Sequence, residues 1–373
     1  MKKVLFGITS LTLGGAERVL VDLANRICKD YEVSILTIYD KGELKKQLNK
    51  KINIISIFPK SFNEYSKLEI FKNSFELIHM TKVPDGFDVY VSFLEGPITR
   101  LFSKKIGNNK NDRAHKVKKI AWVHNDISKV FGNTLKAKIK KIFDKNVYKK
   151  YDKVVFVSEE NRKDFVTTYG KNIKTELVRN YLDYDSVIKK AEMPTILPFD
   201  NNDINFVSVC RLVNQKAIDR FIKVHAKLEE KGLHSKVYII GDGPNRLQLQ
   251  KQIDAANETE NFFLLGAKEN PYPYIKGADY FCLLSYFEGY GMVLDEAKIL
   301  GKKIIITDTA AKESIEDYEL SRVLPNNENG IYEGLEKILS EDIKNNEIKS
   351  NYNIEETKKY YNSIIEKIET IIN

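Results

Sequence analysis

Residues 280–296 read YFCLLSYFEGYGMVLDE. The apolar run Tyr280–Leu284 predicts a buried strand, and the residues after the glycines predict a helix that runs to Leu300, where Gly301 provides a stop. A buried strand that passes through a short turn into a helix is the repeating unit of an α/β protein with a parallel sheet. This stretch therefore predicts an α/β fold.

The same strand-and-helix unit recurs along the whole chain. In the second half, predicted strands also occupy Ile204–Cys210, Val237–Ile240, Phe262–Leu265 and Lys303–Thr307. In the first half they occupy Val4–Ile8, Glu32–Ile38, Ile52–Ile57, Val89–Leu94, Lys119–Val123 and Val154–Val157. Two separate series of strands predict two doubly wound parallel sheets, one in each half.

The boundary between the two halves is predicted in segment 183–203, which lacks strand periodicity and contains Pro194 and Pro198. We therefore expect an N-terminal domain of residues 1–182, a linker of residues 183–203 and a C-terminal domain of residues 204–353. Residues 354–373 have apolar side chains at helical spacing and predict a docked amphipathic helix.

The composition excludes several classes of protein. The 373 residues are 42% hydrophobic and 30% charged, which excludes a disordered or fibrous chain. The net charge of +8 permits anionic partners without implying nucleic acid. Cys28, Cys210 and Cys282 lie far apart in apolar runs, so we expect free thiols, no zinc site and a reducing compartment.

No targeting or membrane-spanning segment is expected. Lys2, Lys3 and the apolar run Val4–Ile8 look like the start of a signal peptide, but polar residues interrupt the run and a helical pattern follows at once. No run of ~18 apolar residues exists, so we expect a cytoplasmic protein without a transmembrane span.

The turn after strand 280–284 carries the strongest candidate site. Glu288 and Glu296 are eight residues apart, which is ~12 Å along a helix, so the two carboxylates suit the two ends of a long ligand. The backbone N–H groups of Gly291, Met292 and Val293 are available to a negative group between them. The competing interpretation is an ordinary amphipathic helix with solvated acids.

Two other strand-to-helix turns carry groups that suit anions. Arg211 and Lys216 follow the strand Ile204–Cys210, where a planar guanidinium and a mobile ammonium together match a diphosphate. Gly14 and Gly15 follow the first strand and allow close approach of a ligand to a helix N-terminus. Solvated cations and an ordinary tight turn are the competing interpretations, and the dinucleotide fingerprint G-x-G-x-x-G is absent.

His124 follows a strand of the first half, so its imidazole is expected at the ligand-binding edge of that sheet. There it is able to donate to a substrate oxygen or to carry a proton, although a single histidine also serves structural roles. Asp183 and Asp185 precede the linker and do not lie in a strand-end turn, so we expect no metal site.

Positive charge is concentrated in one stretch. Residues 101–153 hold 16 Lys plus Arg and 4 Asp plus Glu, a local charge of +12. Within it an apolar helical stripe alternates with lysines, which predicts either a helix on an anionic membrane surface or a packed helix with a solvated basic face. The lysines expected at the membrane are Lys136, Lys138, Lys140 and Lys141.

Taken together, four features resemble the retaining glycosyltransferases of family 4: residues 14–18 (GGAER), His124, Arg211 with Lys216, and the element from Glu288 to Glu296. The resemblance covers the whole chain in the right order. The segments Asn-Pro-Tyr at 270–272 and Gly-Ala-Asp at 277–279 are also similar to the family. Ala217 is a departure, because the family usually has glycine after the lysine.

The resemblance implies a GT-B fold, with two Rossmann-like domains facing a cleft and a C-terminal helix that returns to the first domain. It implies that Arg211 and Lys216 hold the donor diphosphate, Glu296 the ribose and Glu288 the transferred sugar. It places the base near Lys268 and Asn270. His124 then contacts the sugar from the other domain, and Gly14 and Gly15 line the phosphate and acceptor side.

The function implied is metal-independent, retaining transfer of a hexose-type sugar from a nucleotide sugar, with UDP favoured and no cofactor. The expected acceptor is a saccharide, lipid-linked because of the basic stretch, in synthesis of a bacterial capsule, lipopolysaccharide, teichoic acid or exopolysaccharide. Two alternatives remain open: a nucleotide-sugar epimerase or hydrolase, and a non-catalytic nucleotide-sugar-binding partner subunit. A nucleic-acid partner is not expected, because the basic stretch lacks interleaved aromatic residues.

Overall fold

A computed structural model describes residues 1–12, 14–40, 42–60, 82–106, 117–124, 144–199, 203–342 and 353–373, together with a few residues between 64 and 79. This part of the chain divides into two compact units. Unit 1 comprises Met1–Asp183 and Tyr361–Asn373, and unit 2 comprises Tyr184–Tyr360.

Unit 1 is built on a parallel sheet whose strands pair in the order β3-β2-β1-β4-β5-β6-β7. The strands are β1 Lys3–Ile8, β2 Glu32–Tyr39, β3 Asn53–Phe58, β4 Val89–Ser92, β5 Lys118–Val123, β6 Lys153–Phe156 and β7 Thr175–Leu177. The described helices between them are α1 Gly15–Ile27, α2 Pro97–Lys105 and α3 Glu159–Tyr169, with a 3-10 turn at Glu43–Gln47. Residues Val4–Ile8 of β1 are all buried, as expected for a strand covered on both faces.

Unit 2 repeats this architecture with a parallel sheet in the order β10-β9-β8-β11-β12-β13. Its strands are β8 Ile204–Val209, β9 Ser235–Ile240, β10 Phe262–Gly266, β11 Tyr280–Leu283, β12 Lys303–Thr307 and β13 Ser321–Leu324. Its helices are α4 Tyr184–Ala191, α5 Ile218–Glu230, α6 Arg246–Ala255, α7 Tyr272–Gly277, α8 Met292–Ile299 and α9 Glu328–Asp342, with 3-10 turns at Asn214–Lys216 and Ala310–Ser314. Two doubly wound sheets are therefore confirmed.

Each sheet has a switch point, where the direction of strand order reverses. In unit 1 the switch lies between β1 and β4, and in unit 2 it lies between β8 and β11. Open α/β sheets bind ligands in the crevice outside the carboxyl ends of the strands at such a point. A ligand-binding site is therefore expected in the turns that follow these four strands.

The expected linker of residues 183–203 is wrong over its first part. Tyr184–Ala191 forms helix α4, which belongs to unit 2 and buries Tyr184, Val187 and Ala191. These three residues have helical spacing, which was overlooked because the prolines farther along dominate the composition of the segment.

The C-terminal residues form helix α10, Ile354–Ile372, whose apolar face includes buried Tyr361, Ile364 and Ile368. From Tyr361 onward this helix belongs to unit 1. At its end, Lys2 Nζ donates a hydrogen bond to the backbone oxygen of Asn373 at 3.1 Å.

Candidate functional site

The centre of the site in unit 2 is an ion pair between Lys216 and Glu288. Lys216 ends the 3-10 turn after β8, and Glu288 lies in the turn after β11. Lys216 Nζ donates to Glu288 Oε1, and Ser285 Oγ donates to the same oxygen at 2.8 Å. The side chains of Lys216 and Glu288 are only 18% and 8% exposed. Two residues far apart in sequence thus form a largely buried pair at the switch point.

Hydrogen bonds to backbone oxygens hold these two turns in place. The backbone N–H of Tyr286 donates to the backbone oxygen of Gln215 at 2.9 Å. Gln215 Nε2 in turn donates to the backbone oxygen of Phe287 at 2.9 Å. Thr307 Oγ1 from β12 donates to the backbone oxygen of Ser285 at 2.7 Å. Such bonds hold the ion pair in one geometry before any ligand binds.

Ala217 connects the 3-10 turn to α5 in a left-handed conformation. Its φ is 52° and its ψ is 34°, and its side chain is fully buried. This is the region of backbone conformation that glycine adopts most easily. The conformation explains why a glycine is expected after the lysine, and it shows that alanine adopts the same turn here.

The N-terminus of α8 lies after the same β11 turn. Gly291 precedes the helix with φ 69°, in the left-handed region, and no side chain caps the helix start among the residues that the structure describes. Met292 and Val293 are the first helical residues. Their N–H groups and the helix dipole favour an anion at this position.

Glu296 lies farther along α8 and accepts a hydrogen bond from Tyr272 Oη at 3.1 Å. Asn270, which was expected near a base, makes contacts inside unit 2: its Nδ2 donates to the backbone oxygen of Lys190 at 2.8 Å, and its Oδ1 accepts from the Tyr272 N–H at 3.3 Å. Lys268 is exposed, with Nζ 5.8 Å from the centre of the Tyr274 ring. Asn270 therefore orders the loop before α7.

Arg211 is exposed directly after β8, so its guanidinium is accessible at the carboxyl edge of the sheet. The preceding Cys210 lies beside the ion pair, and burial raises the pKa of its thiol to about 11 despite the nearby Lys216 ammonium. The thiol is thus protonated at neutral pH and unsuited to act as a nucleophile.

In unit 1, His124 follows β5 and is half-buried against Phe93, with ring centres 5.0 Å apart. Its backbone N–H donates to Glu95 Oε2 at 3.0 Å. Burial lowers the pKa of His124 to about 4, although the Glu95 carboxylate and a hydrogen bond with the Phe93 backbone act in the opposite direction. Its Nε2 is buried and has no hydrogen-bond partner within the described part of the chain. The imidazole is therefore neutral near pH 7.

Gly14 and Gly15 form the junction between β1 and α1 in unit 1. The carboxylate of Glu17 lies on Gly14 so closely that a Cβ at position 14 would be 2.2 Å from Glu17 Oε2. Burial raises the pKa of Glu17, while a hydrogen bond with its own backbone lowers it. Glycine is thus required at position 14 for the acid to occupy this place.

Two protein-family models match the chain. The model for glycosyl transferases group 1 matches residues 189–354, and the model for glycosyltransferase family 4 matches residues 13–186, so together they cover both units. The chain belongs to glycosyltransferase family 4. It is an enzyme of the glycosyltransferase class, which confirms the resemblance inferred from its motifs.

Relatives and solved structures agree with this assignment. This glycosyltransferase is 27% identical over 354 residues to a Campylobacter jejuni N-acetylgalactosaminyltransferase whose named acceptor is a diphospho-undecaprenol saccharide, covering 92% of this chain and 91% of the relative. Anabaena HepE in complex with UDP and glucose aligns with TM-score 0.74 at 15% identity over 99% of each chain. S. aureus TarM aligns with TM-score 0.70 at 14% identity over 100% of each chain. The fold is GT-B.

The sequence indicated the charged candidates Lys216 and Glu288, which the structure brings together, but not the residues that bond to the candidate site residues. Ser285, Gln215, Glu95 and Tyr272 were not singled out. Ser285 and Gln215 were within reach, because each lies in a strand-end turn within three residues of a predicted site residue. Tyr272 lies in the family-like segment 270–272, but nothing in the sequence indicated its bond to Glu296, and Glu95 gave no comparable signal.

The remaining expectations concern the basic lysines, a metal site and a membrane span. Lys136, Lys138, Lys140 and Lys141 fall between residues 125 and 143, outside the described residues. Within the described ranges, no group of three or more His, Cys, Asp or Glu side chains is placed to hold a metal ion. Among the same residues, no helix combines the length and the apolar character needed to cross a bilayer.

Proposed function

We propose that this glycosyltransferase moves a hexose-type sugar from a UDP-sugar to a lipid-linked saccharide, with retention of anomeric configuration and without a metal ion. The product contributes to a bacterial cell-envelope polysaccharide such as a capsule, lipopolysaccharide, teichoic acid or exopolysaccharide. The observation that carries the proposal is the buried Lys216–Glu288 pair at the switch point of unit 2, beside the uncapped start of α8.

The reaction requires stabilisation of a departing diphosphate. Lys216 and the exposed Arg211 supply two positive charges at the carboxyl end of β8, and the N-terminus of α8 adds backbone donors. Preorganised donors and cations aimed at developing negative charge are the largest source of rate enhancement in such reactions. The chain's own residues thus offer the charge that a metal ion would otherwise provide.

Retention follows from reaction on one face of the sugar. The bond from the anomeric carbon to the phosphate oxygen breaks, and a bond to the acceptor oxygen forms on the same face. The acceptor hydroxyl proton passes to the departing phosphate oxygen, so UDP leaves and no protein nucleophile is needed. Glu288 holds the sugar hydroxyls, and the role proposed for His124 is that of a neutral hydrogen-bonding group, because burial lowers its pKa to about 4.

The choice of donor and acceptor is supported by relatives. The C. jejuni relative is named for transfer of N-acetylgalactosamine to a diphospho-undecaprenol saccharide. Anabaena HepE has been solved with UDP and glucose. UDP-N-acetylgalactosamine and UDP-glucose are therefore the first donors to test, and an undecaprenyl diphosphate saccharide is the first acceptor. We further propose that the enzyme works at the cytoplasmic face of the membrane, a proposal that the relative's lipid-linked acceptor and the basic stretch support.

The test is a donor panel in which UDP or GDP release is measured with the purified enzyme, with and without undecaprenyl diphosphate saccharides. The proposal predicts acceptor-dependent release of UDP, an axial linkage retained from the donor in the product NMR spectrum, and the same rate in excess EDTA.

Each part of the proposal fails on a different result. Release without acceptor, with a changed or free sugar as product, would instead indicate an epimerase or hydrolase. Tight nucleotide binding without release for any donor would indicate a binding subunit. Inverted configuration would refute front-face transfer alone, and loss of activity in EDTA would refute metal independence alone.

A further inference from the structure

Arg220 is a buried cation that the proposed mechanism does not use. It lies in the first turn of α5, four residues after Lys216, and is only 5% exposed. Arginine is rarely buried without a partner that compensates its charge. We therefore expect the contacts of Arg220 to compensate its charge and to indicate its role.

Those contacts converge on three consecutive residues of the turn after β11. Arg220 Nη2 donates to the backbone oxygen of Leu284 at 2.7 Å and approaches that of Ser285 at 3.5 Å. The guanidinium carbon is 4.4 Å from the centre of the Tyr286 ring, within the range of a cation–π interaction. One side chain thus contacts the residues Leu284–Tyr286, which connect β11 to the turn that holds Glu288.

The charge of Arg220 is not paired with a carboxylate within 4 Å among the described residues. The neighbouring Asp219 lies 3.4 Å from Tyr286 Oη, and Glu328 pairs with Lys227 at 2.6 Å. Nη2 also donates to Asn326 Oδ1 at 3.0 Å, while Asn326 Nδ2 donates to the Tyr286 backbone oxygen at 2.8 Å. Burial lowers the pKa of Arg220, but a guanidinium remains protonated.

A buried guanidinium held mainly by carbonyl oxygens and an aromatic ring is costly if its only effect is stability, because a neutral side chain would cost less to bury. Nη2 makes these hydrogen bonds while the flat guanidinium lies over the Tyr286 ring, a combination that a neutral side chain lacks. The segment that it fixes contains Ser285, which donates to Glu288, and precedes Glu288 itself.

We infer that Arg220 is a positioning residue that holds the Leu284–Tyr286 segment so that the Glu288 carboxylate is aimed at the donor sugar. The inference rests on the proposed function, because it assigns Glu288 to the sugar. Arg220 contacts no substrate in this view and acts only through Glu288. Nothing in its role requires it to affect binding of the nucleotide.

The test is a double-mutant cycle between Arg220→Lys and Glu288→Gln in the full-length enzyme. Arg220→Lys keeps the charge and loses the planar group that lies over the Tyr286 ring. We expect kcat for transfer to fall about 10- to 100-fold, as for a misplacement of about 1 Å in an active site, while the Kd for UDP stays within about threefold. In the Glu288→Gln background the same change should alter kcat by less than about threefold, because coupled residues are not additive.

Controls separate positioning from a general loss of structure. Arg322→Lys changes an exposed arginine of unit 2 that bonds its neighbour Ser321, and it should behave as wild type. Asn326→Ala removes one partner of Arg220 and should cause a smaller kcat loss that also disappears in the Glu288→Gln background. This milder variant keeps the inference testable if Arg220→Lys fails to fold.

Three results would overturn the inference: wild-type kcat for both Arg220→Lys and Asn326→Ala, an undiminished loss in the Glu288→Gln background, or a loss of UDP affinity as large as the loss of kcat. The last result would mean that the charge acts directly on the diphosphate. Absence of acceptor-dependent UDP release by the wild-type enzyme would instead refute the proposed function.

Discussion

Replacement of Lys216 with Met should separate catalysis from stability, because the lysine has two roles in this structure. As a cation for the departing diphosphate it should be needed in the transition state more than in the bound state. Loss of one preorganised donor of this kind costs ~10² to 10³ in kcat, about 2.7 to 4 kcal/mol. We expect a loss of that size with a smaller change in donor KM.

Lys216→Met should also destabilise unit 2, because it leaves Glu288 without its cation. Breaking a buried ion pair by removing one partner costs about 3 to 5 kcal/mol. Since the two side chains are 18% and 8% exposed, the lower end is appropriate, about 3 kcal/mol. For a unit of this size each kcal/mol lowers Tm by roughly 2 to 4 °C, so the Tm should fall by about 6 to 12 °C.

The double variant Lys216→Met with Glu288→Gln removes both charges at nearly constant volume. It should recover most of the lost Tm, because no uncompensated charge remains, while transfer activity stays low. Calorimetric melting and acceptor-dependent UDP release measure the two effects separately. Normal turnover of Lys216→Met would show that the diphosphate is held by another cation. An unchanged Tm for Lys216→Met would show that the ion pair contributes nothing to the fold.

Four further predictions concern other residues of the enzyme. Glu296→Gln should weaken donor affinity with little effect on sugar choice, whereas Glu288→Gln should lower turnover and alter sugar preference in a donor panel. If both variants lost affinity or turnover to the same degree, the two carboxylates would not hold opposite ends of the donor. Ala217→Gly should change the free energy of unfolding by less than about 1 kcal/mol, because glycine relieves the left-handed conformation but loses a buried methyl group and makes the unfolded chain more flexible. Ala217→Val should be strongly destabilising, and urea titrations measure both variants. The lowered pKa of His124 means that the unfolded state binds its proton first, so stability present above pH 6.5 should be lost as the pH falls to about 4; urea titrations of His124→Gln across this window should show a smaller loss than wild type. Changing Lys136, Lys138, Lys140 and Lys141 together to Gln should release the enzyme from anionic vesicles, since each lysine near an anionic leaflet contributes about 1 kcal/mol of binding free energy. Transfer to a soluble acceptor should persist. If neither the substitutions nor added salt changed the fraction of enzyme that sediments with the vesicles, a membrane role would be contradicted.

Strands buried on both faces, such as Val4–Ile8 and Lys303–Thr307, are predicted correctly because they produce continuous apolar runs. The half-buried edge strands β3 and β10 are also predicted correctly, because each still carries a run of apolar residues. Two strands were missed, β7 Thr175–Leu177 and β13 Ser321–Leu324. Both lie at the edge of a sheet, are short and are largely exposed or half-buried. Their three or four residues include charged side chains and no continuous apolar run, so the sequence pattern gives almost no signal for them.

In the site, too, the sequence predicted features that depend on neighbouring residues and did not predict contacts that depend on the three-dimensional fold. Lys216 and Glu288 were recognised because each lies in a strand-end turn with suitable neighbours in sequence. Their direct contact depends on β8 lying beside β11, which is a property of strand order. Arg220 and Gln215 support the site through hydrogen bonds to backbone oxygens. Every residue has a backbone oxygen, so the type of the accepting residue does not reveal such a bond. Residue identity therefore indicates the reacting groups better than the groups that position them.

Strand order also refines how a donor would lie in this site. The sequence assigned Lys216 to the diphosphate and Glu288 to the sugar, and the structure brings the two side chains into direct contact. The bond that breaks joins the anomeric carbon to a phosphate oxygen, so groups for the sugar and for that phosphate must be neighbours. Glu296 lies eight residues farther along the chain, inside α8, and in this mechanism the ribose would extend toward it. The contact between Lys216 and Glu288 thus marks the position of the scissile bond under the proposed mechanism.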